Sequence, residues 1–389
     1  MKIAHPFAIV HGAGNEPELF AQQLLDAMPP EAIQQDCLGL IYATEQAASD
    51  FDAVEAALTE KLPQVQWVGA FADSIMGNEC EYGGHSAVAA MVMPLPADSW
   101  QIFSGTSPLD NRAFTAMVHA DPMTPDLAPL VEELAGRTQT GYLFGGLTVA
   151  NNLQATQIAQ GRRLSGGLSG VGFDDRVQVL SRVTQGCSPL AGEHEITECR
   201  SQFVLGLDGR PALDVLLDDL GVEEQAGQTR DGDEILRALP ADRLRNGLLV
   251  GLSDSMQDRP MGFGDYQVSN LVGIDPENRL LAIAARPETG HRLVFCTRDR
   301  AAARHDLIRA CTELRDQIES ESLNVLGAHY VSCLARGEAL FGTAGAEAEI
   351  LRHNLGDIPL IGFFANGEIA RERLYGFTGV ITLFVTPAQ

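Results

Sequence analysis

The chain has 389 residues, 45% of them hydrophobic, and is long enough to bury one large core or two smaller ones. Its 52 acidic residues against 27 basic ones leave a net charge of −25, and lysine occurs only at Lys2 and Lys61. That field repels phosphate backbones and anionic lipid surfaces, and neither lysine follows the glycines a P-loop requires, which argues against nucleic acid, membranes and Walker-type ATP hydrolysis.

The opening MKIAHPFAIVHGAG is too polar for a secretory signal, and no later apolar run reaches spanning length, so a cytoplasmic protein is expected. Residues 37–43 (CLGLIYA) read as a buried strand, 51–62 as an amphipathic helix and 65–72 (VQWVGAFA) as a second buried strand. This βαβ unit predicts parallel strands. A second such unit is expected from strand 292–297, helix 302–318 and strand 327–333. Segment 65–93 can be laid over 358–385 with strand, glycine, aromatic, polar turn, Tyr-Gly and final strand in the same order, and a weaker third copy spans 141–152 and returns through 166–180. The expected fold is therefore α/β: two intimately packed domains with mixed β-sheets covered by helices and an internal duplication. The acidic, turn-rich stretch 220–239 separates them, giving domains 35–225 and 226–386.

Seven cysteines with no CxxC pair point to free thiols rather than a disulfide framework or a zinc site. GxSxG, HExxH and GxGxxG are all missing, and the nine histidines show no metal-ligand spacing, so no catalytic residue and no metal site is assigned.

One constellation stands out. GAHYVSC runs into LARGEALFG, which puts Cys333, Arg336, Gly337 and Glu338 in the turn after a parallel strand and at a helix start, where ligands bind in open α/β sheets. Arg336 there can grip a carboxylate through two parallel hydrogen bonds, or pair with Glu338, Glu347 or Glu368 as a structural ion pair. The second candidate is FFANGEI, ending in Asn366, Gly367 and Glu368; Asn-Gly alone also reads as a hairpin turn. Together the two segments could hold the carboxylate and the amino group of an amino acid.

At these residues the chain resembles a known family. Segments 185–197, 203–216, 264–299, 331–342 and 359–369 are similar to the FIST N and FIST C pair, and the likeness covers positions 35 to 386. The resemblance implies a bacterial sensory module for small ligands such as amino acids, with Cys333, Arg336 and Gly337 from one block and Asn366, Gly367 and Glu368 from another lining the site. It implies no enzyme activity. With no kinase, methyl-accepting, cyclase or F-box segment in view, the output is expected to pass to a separate signalling protein such as a histidine kinase. No cofactor is expected, but some relatives are similar to haem-binding nitric oxide sensors, which makes haem the alternative ligand. A further alternative is a cysteine-dependent acyl-transfer enzyme with Cys333 as nucleophile and His329 or His353 as base. His329 precedes Cys333 by four strand positions, which separates them by about 13 Å.

Overall fold

The computed structural model describes residues 7–13, 16–110, 112–148, 156–222, 231–240, 247–253 and 266–388. The chain forms two compact units, one made of 1–184 together with 307–389 and the other of 185–306. The acidic stretch 220–239 lies within the second unit, and its positions 223–230 fall outside the described residues. Both units combine sheets with covering helices, so the chain is mixed α/β. Among the described residues no helix is long and apolar enough to cross a membrane.

The first unit is built from one module used three times. In the first module the strand Cys37–Thr44 runs parallel to Val65–Ala72 with the helix Phe51–Lys61 between them. A hairpin, Ser74–Gly77 and Cys80–Gly83, follows, and Val88–Met93 returns antiparallel to the first strand. The second module repeats this order: Thr115–Ala120 parallel to Leu143–Leu147 around the helix Leu127–Gly136, the hairpin Gln157–Ala159 and Arg162–Leu164, and the return strand Leu168–Phe173. In the third, Leu323–Cys333 runs parallel to Leu360–Ala365 around the helices Gly337–Phe341 and Ala346–Leu355. Its hairpin is Glu368–Ala370 with Arg373–Tyr375, and Thr378–Pro387 returns.

The modules exchange their hairpins in a cycle. The first module's hairpin pairs with Leu360–Ala365, the second's with Val65–Ala72 and the third's with Leu143–Leu147. Each short hairpin thus covers the open edge of another module's sheet, an edge that would otherwise expose unpaired backbone groups. The recurring glycine has a steric cause. A Cβ at Gly69, Gly145 or Gly362 would stand 1.7, 1.9 or 1.8 Å from the carbonyl oxygen of Ile41, Val118 or Tyr330, the residue paired with it on the parallel neighbour.

The inner faces of the three sheets share a core that includes Leu40, Val68, Met117, Phe144, Val331 and Phe363. The second unit is an antiparallel sheet whose core joins Ile196, Val250 and Phe295 to Leu213 and Leu216 of the helix Ala212–Asp219.

The expected βαβ unit at 292–333 does not form. Arg292–Arg298 lies in the second unit and pairs antiparallel with Cys187–Pro189 and Leu248–Ser253, whereas Leu323–Cys333 finds its parallel partner in Leu360–Ala365. A strand buried on both faces has the same apolar pattern in either kind of ladder, so the pattern identifies the strands without choosing their partners.

Candidate functional site

The strands Leu323–Cys333 and Leu360–Ala365 are in register with Cys333 opposite Ala365, so their carboxyl ends lie side by side. From them come all six residues expected to line the site. Cys333 ends its strand, and the chain turns through Arg336 into the five-residue helix Gly337–Phe341. Asn366 and Gly367 carry the chain from Leu360–Ala365 to Glu368–Ala370, a strand of a different sheet, instead of reversing it as a hairpin. Asn366 is exposed; its N–H donates to the Leu147 carbonyl at 3.3 Å, and the Leu147 N–H donates to that of Gly367 at 2.8 Å.

Arg336 is buried at 1% exposure and faces a carboxylate from its own chain. Its Nε donates to Glu347 Oε1 at 2.9 Å, and Nη2 lies 2.8 Å from the same oxygen. Glu347, in the first turn of the helix Ala346–Leu355, also accepts from the Tyr330 hydroxyl at 2.8 Å, the Ser332 hydroxyl at 2.8 Å and the Gly337 N–H at 3.1 Å. Burial works against the guanidinium charge, but the adjoining Glu347 carboxylate outweighs it, and the pKa of Arg336 is raised. Nη1 has no hydrogen-bond partner, and the guanidinium carbon sits 5.3 Å from the Phe341 ring centre.

Glu368 is fully buried. Its Oε2 accepts from the Thr378 N–H at 3.1 Å and the Thr378 hydroxyl at 2.7 Å, while Oε1 accepts no hydrogen bond. Burial raises its pKa to about 7, against the opposing pull of the Thr378 donors, the Cys333 thiol and the Arg336 charge. Burial, with the Glu368 charge next, pushes the Cys333 thiol up to about 12.

Four of the six residues, Cys333, Arg336, Gly337 and Glu368, therefore belong to one buried polar cluster. Its other members, Tyr330, Ser332, Glu347 and Thr378, carry no motif. A signal for Glu347 does exist in the sequence: it was one of three glutamates within plausible reach of Arg336. Glu81, on the first module's hairpin, adjoins the cluster, and burial with the nearby Glu347 charge raises its pKa to about 7 despite the N–H groups of Gly345, Glu347 and Ala348.

A second buried polar group lies in the core of the same unit. The Tyr42 hydroxyl is 2.8 Å from His119 Nε2 and 2.6 Å from His329 Nε2. Burial lowers both imidazoles to about 3. The two core imidazoles do not offer their Nε2 atoms to a haem. Both Nε2 atoms are committed to Tyr42, His194 is held between Asp208 and Asp219, His11 between Tyr82 and Asn78, and the cavities among the described residues on helix Ala346–Leu355, beside strand Gln178–Gln185 and next to Arg292 are lined by no histidine.

Comparison with known proteins identifies the family. The FIST N domain matches residues 37–210 and the FIST C domain residues 212–371, and the chain belongs to the FIST family of sensory, ligand-binding signal-transduction domains. It is similar to an uncharacterized protein of Mycobacterium tuberculosis, 28% identical over 365 residues and 90% of each chain. An uncharacterized protein of Mycobacterium bovis is 30% identical over 210 residues, 52% of this chain and 50% of the relative.

Proposed function

We propose that the protein is a sensor that binds a small carboxylate, such as an amino acid, at the Arg336–Glu368 cluster and passes the signal to a separate partner without catalysing a reaction. The observation that carries this reading is a pair of buried atoms without hydrogen-bond partners, Arg336 Nη1 and Glu368 Oε1, at the carboxyl ends of neighbouring parallel strands. Leaving such a group unsatisfied costs about 1–3 kcal/mol. A ligand carboxylate on Nη1 and an ammonium on Glu368 satisfy both. The incoming carboxylate competes with Glu347 for the guanidinium, and release of Glu347 frees the first turn of the helix Ala346–Leu355, which gives the signal a route out of the cluster. A thiol pushed up to about 12 and an imidazole committed to Tyr42 support binding over cysteine chemistry.

A thermal-shift screen of amino acids and small carboxylic acids tests the proposal, since saturation at a hundred times Kd adds about 2.7 kcal/mol. A hit is expected to weaken in Arg336→Lys and, if it is an amino acid, in Glu368→Gln. The absence of any hit, or a hit unchanged in both variants, would overturn it.

A further inference from the structure

A groove of about 330 Å³ lies on the face of the helix Ala346–Leu355 formed by Ala348, Leu351 and Leu355, with Ile9 and Ile358 completing an apolar floor. Its volume falls at the small end of the range for ligand sites, roughly 300–1,000 Å³. One wall is fixed by Asn78, whose N–H donates to the Leu360 carbonyl at 2.8 Å and whose Oδ1 accepts from the Leu360 N–H at 3.2 Å. Ala348 and Leu351 are buried, Ile9 packs against the core, and the wall is pinned by the two hydrogen bonds between Asn78 and the Leu360 backbone, so the space is preformed.

The charges at its rim have one sign left over. Arg352 and Asp357 pair with each other at 3.6 Å, and among the described residues the exposed carboxylate of Glu79, next to the pinned Asn78, has no hydrogen-bond or ion-pair partner. The helix Ala346–Leu355 ends in the groove at Leu355 and Gly356, and a helix C-terminus carries the negative end of the helix dipole. The net charge of −25 further enriches cations near the surface. We propose that this groove is a second binding site, separate from the Arg336–Glu368 cluster, for a small amphiphilic amine: an apolar ring or branched chain on the Leu351 floor with its ammonium on Glu79.

Phenethylamine, 2-phenylethanol and 3-phenylpropanoate share the apolar body and differ in the charged end, and titration calorimetry with each tests the site. Phenethylamine is expected to bind saturably, the alcohol about fivefold more weakly, as for one partly exposed ion pair, and the acid not at all. Glu79→Gln should cost phenethylamine about fivefold without changing the melting temperature of the free protein, because Glu79 is exposed. Leu355→Trp should fill the groove and abolish binding. Arg336→Lys should leave phenethylamine binding unchanged, so this site stands or falls independently of the sensor reading. Failure of phenethylamine to bind, equal binding of all three probes, or an unaltered affinity in Glu79→Gln would overturn the proposal.

Discussion

The phenol oxygen of Tyr42 lies 2.6 Å from Nε2 of His329, a residue 287 positions further along the chain. Tyr42, His119 and His329 come from the first strands of the first, second and third modules, so one hydrogen-bonded chain ties all three together in a core where Phe363 packs against each ring. The hydroxyl can donate to only one imidazole, and the other must donate to it.

Tyr42→Phe keeps the ring and removes the oxygen that both imidazoles use. Each nitrogen left without a partner costs roughly 1–3 kcal/mol, and the two histidines cannot escape by ionising, since burial holds them neutral. Urea unfolding should show a lower midpoint with an unchanged slope. A variant as stable as the parent would mean that the chain of bonds contributes nothing.

Gly69→Ala and Gly362→Ala should each cost at least the roughly 1–3 kcal/mol typical of an overpacked core, because the atom that the new methyl meets is a backbone carbonyl held in a ladder. Gly136→Ala is the control. That glycine closes an exposed helix end, a Cβ there meets nothing within 4 Å, and alanine is expected to be neutral or slightly stabilising. Melting temperatures of the three variants check the contrast.

The likeness between 65–93 and 358–385 was legible because steric need repeats the glycine at Gly69 and Gly362. The third copy was fainter because its hairpin, Gln157–Ala159 with Arg162–Leu164, follows the parallel strand only after 149–155, which lie outside the described residues. The exchange of hairpins left no trace, since an alternating or fully apolar strand records which faces are buried and not which edge it joins. The same limit applies to polar contacts. Arg336 had three glutamates within sequence reach, and only the fold of the helix Ala346–Leu355 back over Ser332 selects Glu347. Tyr42, His119 and His329 are single residues in apolar strands, with nothing local to mark them as partners.

Arg336 and Glu347 should show unequal costs when removed singly. Glu347→Leu leaves a buried guanidinium and the donors of Tyr330, Ser332 and Gly337 without their acceptor, so it should cost at least the roughly 3–5 kcal/mol typical of breaking a buried pair. Arg336→Met leaves Glu347 with three neutral donors and should cost less. The double variant Arg336→Met/Glu347→Leu should be more stable than Glu347→Leu alone, with a coupling of about 0.5–3 kcal/mol in the double-mutant cycle. Additive effects would show that the two side chains do not act as a pair.

Glu368→Gln should change stability in a pH-dependent way. Burial raises the folded-state pKa of Glu368 to about 7 from the ordinary 4.5. Below pH 4.5 the carboxyl is protonated in both folded and unfolded chains, and the parent has the full benefit of its neutral, Thr378-bonded acid. As the pH rises from 4.5 through 7, the unfolded chain releases its proton first, and the parent loses that benefit, up to an amount on the order of 3 kcal/mol. Glutamine does not titrate and can still accept from the Thr378 N–H and hydroxyl. The variant should therefore gain on the parent between pH 5 and pH 8, whatever its stability at pH 5, because the other titrating groups, His119, His329 and Glu81 among them, are common to both proteins and cancel in the difference. Chemical denaturation of the two proteins at pH 5 and pH 8 measures it directly. A difference in stability that stays constant with pH, or that moves in favour of the parent as the pH rises, would show that Glu368 is ionised in the fold well below neutrality.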